Sequence, residues 1–246
     1  MTFHLIGLGL NVNSLTQEAI AAIETSKHVY VEGYTVDFPY ELDQLDRKFG
    51  QVAQVLTRKE VESEKFLKDA KDKDIALLVY GDALSATTHT QLLISCTEQD
   101  IPYNVYHNAS ILTAAARTGL QLYKFGKTAS MPAWDKDKKY EPTSFMNYYK
   151  ENESIGAHTL ILTDIGLELP RAIYQLQAAC NIIGFEFDKK IIVLSQAGTK
   201  KQNIYYESIK TLEHMQVEKP FCLIIPGELH FIEEEALETF KEKIES

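Results

Sequence analysis

Seven runs of strand length, at residues 3–8, 29–32, 75–80, 103–106, 159–162, 191–194 and 221–225, alternate with stretches of helical spacing. Several of the runs are apolar on both faces, which a strand tolerates only when both sides of its sheet are covered. The alternation defines an α/β chain and suits a parallel sheet packed between helices. Ser14-Leu-Thr-Gln17 reads as a capping box, with Leu15, Ala19, Ala22 and Ile23 following on one helical face. Leu92, Leu93 and Cys96 give an apolar face to a helix over about 88–99, and further helices are expected at 145–153, 173–183, 204–215 and 233–244. The segment 119–142 carries Gly126, Pro132, Trp134, Pro142 and a lysine cluster at Lys136, Lys138 and Lys139. It reads as a turn-rich connection with a hairpin, separating halves at 1–115 and 116–246.

With 246 residues, 45% of them hydrophobic, the chain can bury a large core. Its formal charge of -10 argues against binding nucleic acid, whose phosphates call for a basic surface. Cys96, Cys180 and Cys222 are widely spaced and form neither a CxxC nor a disulfide framework, so buried free thiols in a reducing compartment are expected. MTFHLIGLGL has no basic leader, and no apolar run approaches the ~20 residues of a membrane helix. The expectation is a soluble cytoplasmic protein with no membrane partner.

The chemistry-bearing motifs are mostly negative. Gly7-Leu-Gly9 ends the first run, but a dinucleotide fingerprint needs glycine where Val12 stands. Gly126-Lys-Thr128 lacks the earlier glycine of a phosphate loop, since Gln121 occupies that place, and it precedes a strand-like stretch instead of a helix. His4, His28, His107 and His158 fall at strand ends without metal-ligand spacing, and no nucleophile elbow is present. No acid/base pair is evident. What remains are four small or polar segments at strand ends: 7–10, 81–88, 107–111 and 195–198. Ligands of open α/β sheets bind outside the carboxyl ends of the strands, so these segments are the candidate site.

The stretches LIGLGL, GDALSATTHTQLLISC, IPYNVYHNASILTAAARTGLQLYKFGKT and HTLILTDI, with IIVLSQAG and LIIPGELH later, closely resemble the diphthine synthase family. That family lies within the tetrapyrrole methylase-like class of S-adenosylmethionine enzymes. The resemblance implies two α/β halves with S-adenosyl-L-methionine folded into the cleft between them, S-adenosyl-L-homocysteine as product, no metal, and a homodimer. It implies repeated methylation of the amino group on the 3-amino-3-carboxypropyl histidine of elongation factor 2, giving the trimethylammonium form in diphthamide biosynthesis. Carried over by position, the donor contacts are Leu10, Asp82, Ser85, Ser110, Ile111, Thr163, Ala197 and Phe221, with no catalytic residue assigned. The chain departs from the family pattern in having Ala83 for proline, Ser85 for valine or glycine, Thr163 for leucine and Phe221 for histidine, and a short GLELPRA connection.

In this reading Asp82 pairs directly with the donor's cationic groups, an attraction that strengthens as water is excluded. The acceptor amine, with an ordinary pKa of roughly 8, needs no dedicated base. His89 is expected to be structural, and Trp134 with its lysines is a candidate docking surface. Competing readings are a methylase of the same class acting on a small porphyrinoid, and a donor-binding scaffold without turnover.

Overall fold

A computed structural model describes residues 1–50 and 53–240 of the chain. It divides into two compact units, Met1–Thr113 and Ala114–Ser246.

Unit 1 contains β1 (Phe3–Gly7), α1 (Gln17–Thr25), β2 (His28–Glu32), α2 (Asp43–Phe49), β3 (Gln54–Leu56), α3 (Arg58–Glu62), β4 (Ile75–Val79), α4 (Thr90–Glu98) and β5 (Tyr103–Tyr106). The strands form one sheet in the order β3-β2-β4-β1-β5, parallel throughout. Every residue of β1 and β4 is buried, His4 of β1 included, as the apolar run of β4 and the largely apolar run of β1 require. Each fully buried Leu or Ile there contributes about 1.5–3 kcal/mol from apolar burial. Helix α1 starts later than its sequence suggests. Its cap is Thr16, whose Oγ1 accepts from Ala19 N at 3.2 Å, and not Ser14. Ser14 is drawn into the strand-end loops described below.

A short helix, α5 (Ile111–Ala114), leads into unit 2. There follow β6 (Ala129–Met131), α6 (Ser144–Glu153), β7 (Thr159–Thr163), α7 (Leu169–Ile182), β8 (Lys190–Ser195), β9 (Asn203–Ser208), α8 (Ile209–Leu212), β10 (Phe221–Ile225) and α9 (Phe231–Glu238). The sheet order is β6-β7-β10-β8-β9. Only β6 and β7 run parallel, and the remaining pairings are antiparallel. A parallel arrangement therefore holds for unit 1 alone. Strand β10 is wholly buried yet antiparallel to both neighbours, so an unbroken apolar run reports burial of both faces and not direction.

Two further expectations change in unit 2. The helix expected at 204–215 is strand β9 followed by the single-turn α8, because residues 203–208 pair with β8 over its full length. The segment 119–142 is not a linker. It lies inside unit 2, supplies β6, and carries Trp134, which is 4% exposed in the core. The expected hairpin is present as mutual hydrogen bonds between Asp135 and Tyr140, each 2.9 Å. The last helix, expected to reach residue 244, ends at Glu238 with a turn at 239–240, and the part of the expectation beyond 240 lies outside the described residues. All three cysteines are free and buried. Burial pushes the Cys222 thiol up to about 12.

Candidate functional site

In unit 1 the carboxyl ends of β1, β4 and β5 carry three loops that bind one another. Gly9 N donates to Gly81 O at 2.9 Å, and Gly81 N returns a bond to Gly9 O at 3.0 Å. Asn108 Nδ2 donates to Gly7 O and to Ser14 O, each at 3.0 Å. A Cβ on Gly9 would meet Ser14 Cβ at 2.5 Å and Asn108 Oδ1 at 2.7 Å, and φ there is +70°. The glycines of the first loop thus let protein pack on protein; the bare backbone is already covered. Leu10 is 5% exposed, and its carbonyl accepts from Tyr80 Oη at 3.1 Å.

Asp82 is the knot of this arrangement. Its Oδ1 accepts from Leu84 N at 3.0 Å and Ser85 Oγ at 3.1 Å. Its Oδ2 accepts from His107 Nδ1 at 2.8 Å and Asn108 N at 3.1 Å. Burial alone disfavours the ionised carboxylate, but the His107, Leu84 and Asn108 hydrogen bonds outweigh it and hold the pKa below the ordinary aspartate value. Both oxygens are occupied by donors of the protein itself, and the carboxylate ties the 81–88 loop to the 107–111 loop.

Where the family carries proline, Ala83 is fully buried, and its carbonyl accepts from Thr87 Oγ1 at 2.6 Å and lies 3.1 Å from His89 Nδ1. Side-chain hydrogen bonds therefore restrain the turn that has no proline ring. His89 is 2% exposed, with Nε2 3.6 Å from Oε2 of the buried Glu32. Its place is beneath the loop, as expected of a structural residue. Ser110, 6% exposed, accepts from Leu112 N through Oγ at 3.2 Å and starts α5; Ile111 beside it is half-buried. Leu10, Asp82, Ser85, Ser110 and Ile111 thus all stand on these linked loops. His107, which composition and spacing left among the strand-end histidines, belongs with them.

Unit 2 brings its own three expected residues together. Phe221 pairs with Ser195 across β10 and β8, and Thr163 Oγ1 on the other side donates to Phe221 O at 2.6 Å. Thr163 therefore has a structural use for the hydroxyl that the usual leucine lacks. The Phe221 ring sits in the core of the unit, at 6% exposure. Ala197 follows Gln196, which has φ +47° and donates through its backbone N to Pro220 O at 2.8 Å. The Gln196 amide donates to Lys219 O at 3.0 Å, and its buried Oε1 has no hydrogen-bond partner.

The docking role expected of Trp134 is corrected. The indole is buried, with Nε1 donating to Pro142 O at 3.0 Å and its backbone N to Gln175 Oε1 at 2.8 Å. Elsewhere in unit 2, Gly227 N donates to His158 Nδ1 at 2.9 Å, so His158 Nε2 carries the hydrogen towards Glu233 Oε1 at 3.0 Å. Glu233 also receives Gln121 N, His230 N and Lys124 Nζ. Burial opposes its charge, but these donors bring its pKa down to about 2. Among the described residues no cluster of His, Cys, Asp or Glu is placed to hold a metal.

A family model described as Tetrapyrrole (Corrin/Porphyrin) Methylases matches residues 2–213, which sets the class of these two α/β units. Within that class the chain is 35% identical to the diphthine synthase of Methanocaldococcus jannaschii, over 98% of this chain and 99% of that one. It is 31% identical to the diphthine methyl ester synthase of Schizosaccharomyces pombe, over 99% and 96% respectively. A crystal structure of a diphthine synthase matches with a TM-score of 0.88 at 28% identity, covering 98% of this chain and 96% of that one. The chain belongs to the diphthine synthase family of tetrapyrrole methylase-type proteins.

Proposed function

We propose that this chain is an S-adenosylmethionine-dependent methyltransferase that repeatedly methylates the amino group of the 3-amino-3-carboxypropyl histidine on elongation factor 2, in diphthamide biosynthesis. The observation that carries the reading is the match to diphthine synthases along nearly the whole of both chains. The protein acts as a cytoplasmic homodimer. Among the described residues no helix is long and apolar enough to cross a membrane. The porphyrinoid alternative draws only on the class-wide match, so the full-length likeness favours the protein substrate.

Each unit presents both polar and apolar residues among the expected donor contacts. Unit 1 offers the buried Leu10 and Ser110 with Ile111 and Ser85 on loops pinned by Asp82. Unit 2 offers Thr163, Ala197 and Phe221, beside the unpartnered Gln196 Oε1, a buried acceptor that a bound hydrogen-bond donor would satisfy. The bound donor supplies an electrophilic methyl group on a sulfonium. The chain's own task is to hold two reactants in line and exclude water, effects worth several powers of ten in rate. Asp82 serves by fixing the loops that carry the contacts.

The endpoint proposed is the trimethylated amine. Relatives named diphthine synthase and diphthine methyl ester synthase match at similar identity, 35% and 31%, so the number of methyl groups has to be counted. Intact mass of elongation factor 2 bearing the aminocarboxypropyl histidine, incubated with this protein and S-adenosylmethionine, is the test. Mass steps ending at the third methyl are expected. A fourth would assign the methyl ester endpoint, and no step at all would overturn the substrate.

A further inference from the structure

The acceptor amine is expected to need no dedicated base, and the sequence shows no acid/base pair. The fold makes one. His107, at the carboxyl end of β5, lies beside Asp82, 25 positions away in the chain, with Nδ1 2.8 Å from Oδ2. The Asp82 pKa is held below its ordinary value, so the carboxylate accepts and Nδ1 carries the hydrogen. In a neutral imidazole that tautomer leaves a bare lone pair on Nε2. The side chain is 69% exposed, and among the described residues no protein group hydrogen-bonds Nε2. His89 and His158, at 2% and 0% exposure, have no such opening.

We propose that His107 is the base of this site, taking the proton from the acceptor nitrogen before each methyl transfer while Asp82 fixes its tautomer and orientation. The proposal rests on the methyl-transfer reading. It has the pattern of a base oriented by a third group, with the carboxylate itself anchored by Leu84 N, Asn108 N and Ser85 Oγ, which fixes the acceptor that the ring is held against. The imidazole lines an open surface depression of about 620 Å³ with Thr16, Glu18, Asn104, Val105 and Tyr106. Glu18 and Asp82 are the charged groups around it, and the Tyr106 hydroxyl is engaged with His4 Nδ1 at 3.2 Å. Both acids favour an ammonium approaching the ring.

The proton balance is simple. The ammonium N–H passes its proton to Nε2, and the electron pair stays on nitrogen. That pair forms the bond to the methyl carbon as the carbon–sulfur bond breaks towards sulfur. The imidazolium then returns its proton to water. A quaternary nitrogen has no proton to give, so the cycle ends when the third methyl is on.

His107→Asn is the test, because an asparagine amide takes the place of Nδ1 as a donor to Asp82 but offers no base. With modified elongation factor 2 at pH 7, kcat is expected to fall about tenfold, the shortfall of neutral amine for a pKa of roughly 8. The deficit should close above about pH 9, where the amine sheds its proton unaided. Affinity for S-adenosyl-L-homocysteine, read by calorimetry, should stay within about threefold. Imidazole nitrogen NMR of the donor-free wild-type protein should show His107 as the Nδ1–H tautomer, lost in Asp82→Asn. An Nε2–H tautomer, an unchanged kcat, or a loss that is flat with pH would each overturn the proposal. If the wild-type protein adds no mass to elongation factor 2, the substrate reading falls and this one with it; an active wild type with an unaffected His107→Asn brings down the base alone.

Discussion

Each unit holds a histidine against a carboxylate at about the same separation, and the two pairs do opposite things. In unit 2, His158 and Glu233 are both 0% exposed, and every nitrogen and oxygen of the pair has a partner inside the protein. In unit 1, His107 meets Asp82 with one ring nitrogen and turns the other outward. The contact chemistry is the same; what differs is whether any hydrogen-bonding capacity is left over. A pair that is fully used inside the fold can only stabilise it, whereas one with a spare lone pair at the surface can move a proton.

The strongest test of that contrast is Glu233→Ala. It leaves Gln121 N, His230 N and the part-buried Lys124 without their acceptor, and urea unfolding of the full chain should show a loss of about 3–5 kcal/mol. A loss below about 1 kcal/mol would mean that the sealed pair is not a stabilising lock.

Acid should expose the next difference. Burial lowers the His158 pKa by more than Glu233 raises it, so the folded chain resists protonation where the unfolded chain accepts it. Its contribution is complete above about pH 6.5 and declines as pH falls towards the folded value, by at most about 1.4 kcal/mol per pH unit. His4 in unit 1, also lowered by burial, adds a share of the same sign. Urea midpoints should therefore drop between pH 7.5 and 5.5, and His158→Gln should remove unit 2's part of the slope. An unaltered slope in that variant would reassign the effect to His4. Glu233 joins only lower, as pH falls from the ordinary carboxylate range towards about 2.

The smallest expected effect tests the open pair. Ser85→Ala removes one of the hydrogen bonds on Asp82 and should weaken S-adenosyl-L-homocysteine binding by about 1 kcal/mol, roughly fivefold, in a calorimetric titration. Unchanged affinity would separate the Asp82 network from the donor site.

The α/β class was legible because β4 is apolar on both faces and β1 is broken only by His4, and such runs admit few alternatives. Strand direction in unit 2 was not, since the apolar character of β10 is the same whichever way its neighbours run. Residues 204–215 were expected to form one helix, but pairing with β8 claims the residues up to Ser208. Trp134 was misplaced at the surface because its lysine neighbours are exposed while the ring itself turns inward. The donor-site residues came from resemblance, and what they lacked was the role of Asp82. That role depends on two backbone amides and on a histidine 25 residues away, none of which leaves a local pattern in the chain.

The order of strands in unit 1 bears on how the chain is made. Phe3 of β1 pairs with Ile75 on one side and Tyr103 on the other, so within unit 1 the strand earliest in sequence is the one whose two neighbours come last. Until β5 is in place, a wholly buried strand has no native partner on that edge, and such unpaired strands invite misassembly. Assembly of this sheet must wait for nearly all of the residues of its unit, because its central strand is completed on both sides only when β4 and β5 are in place.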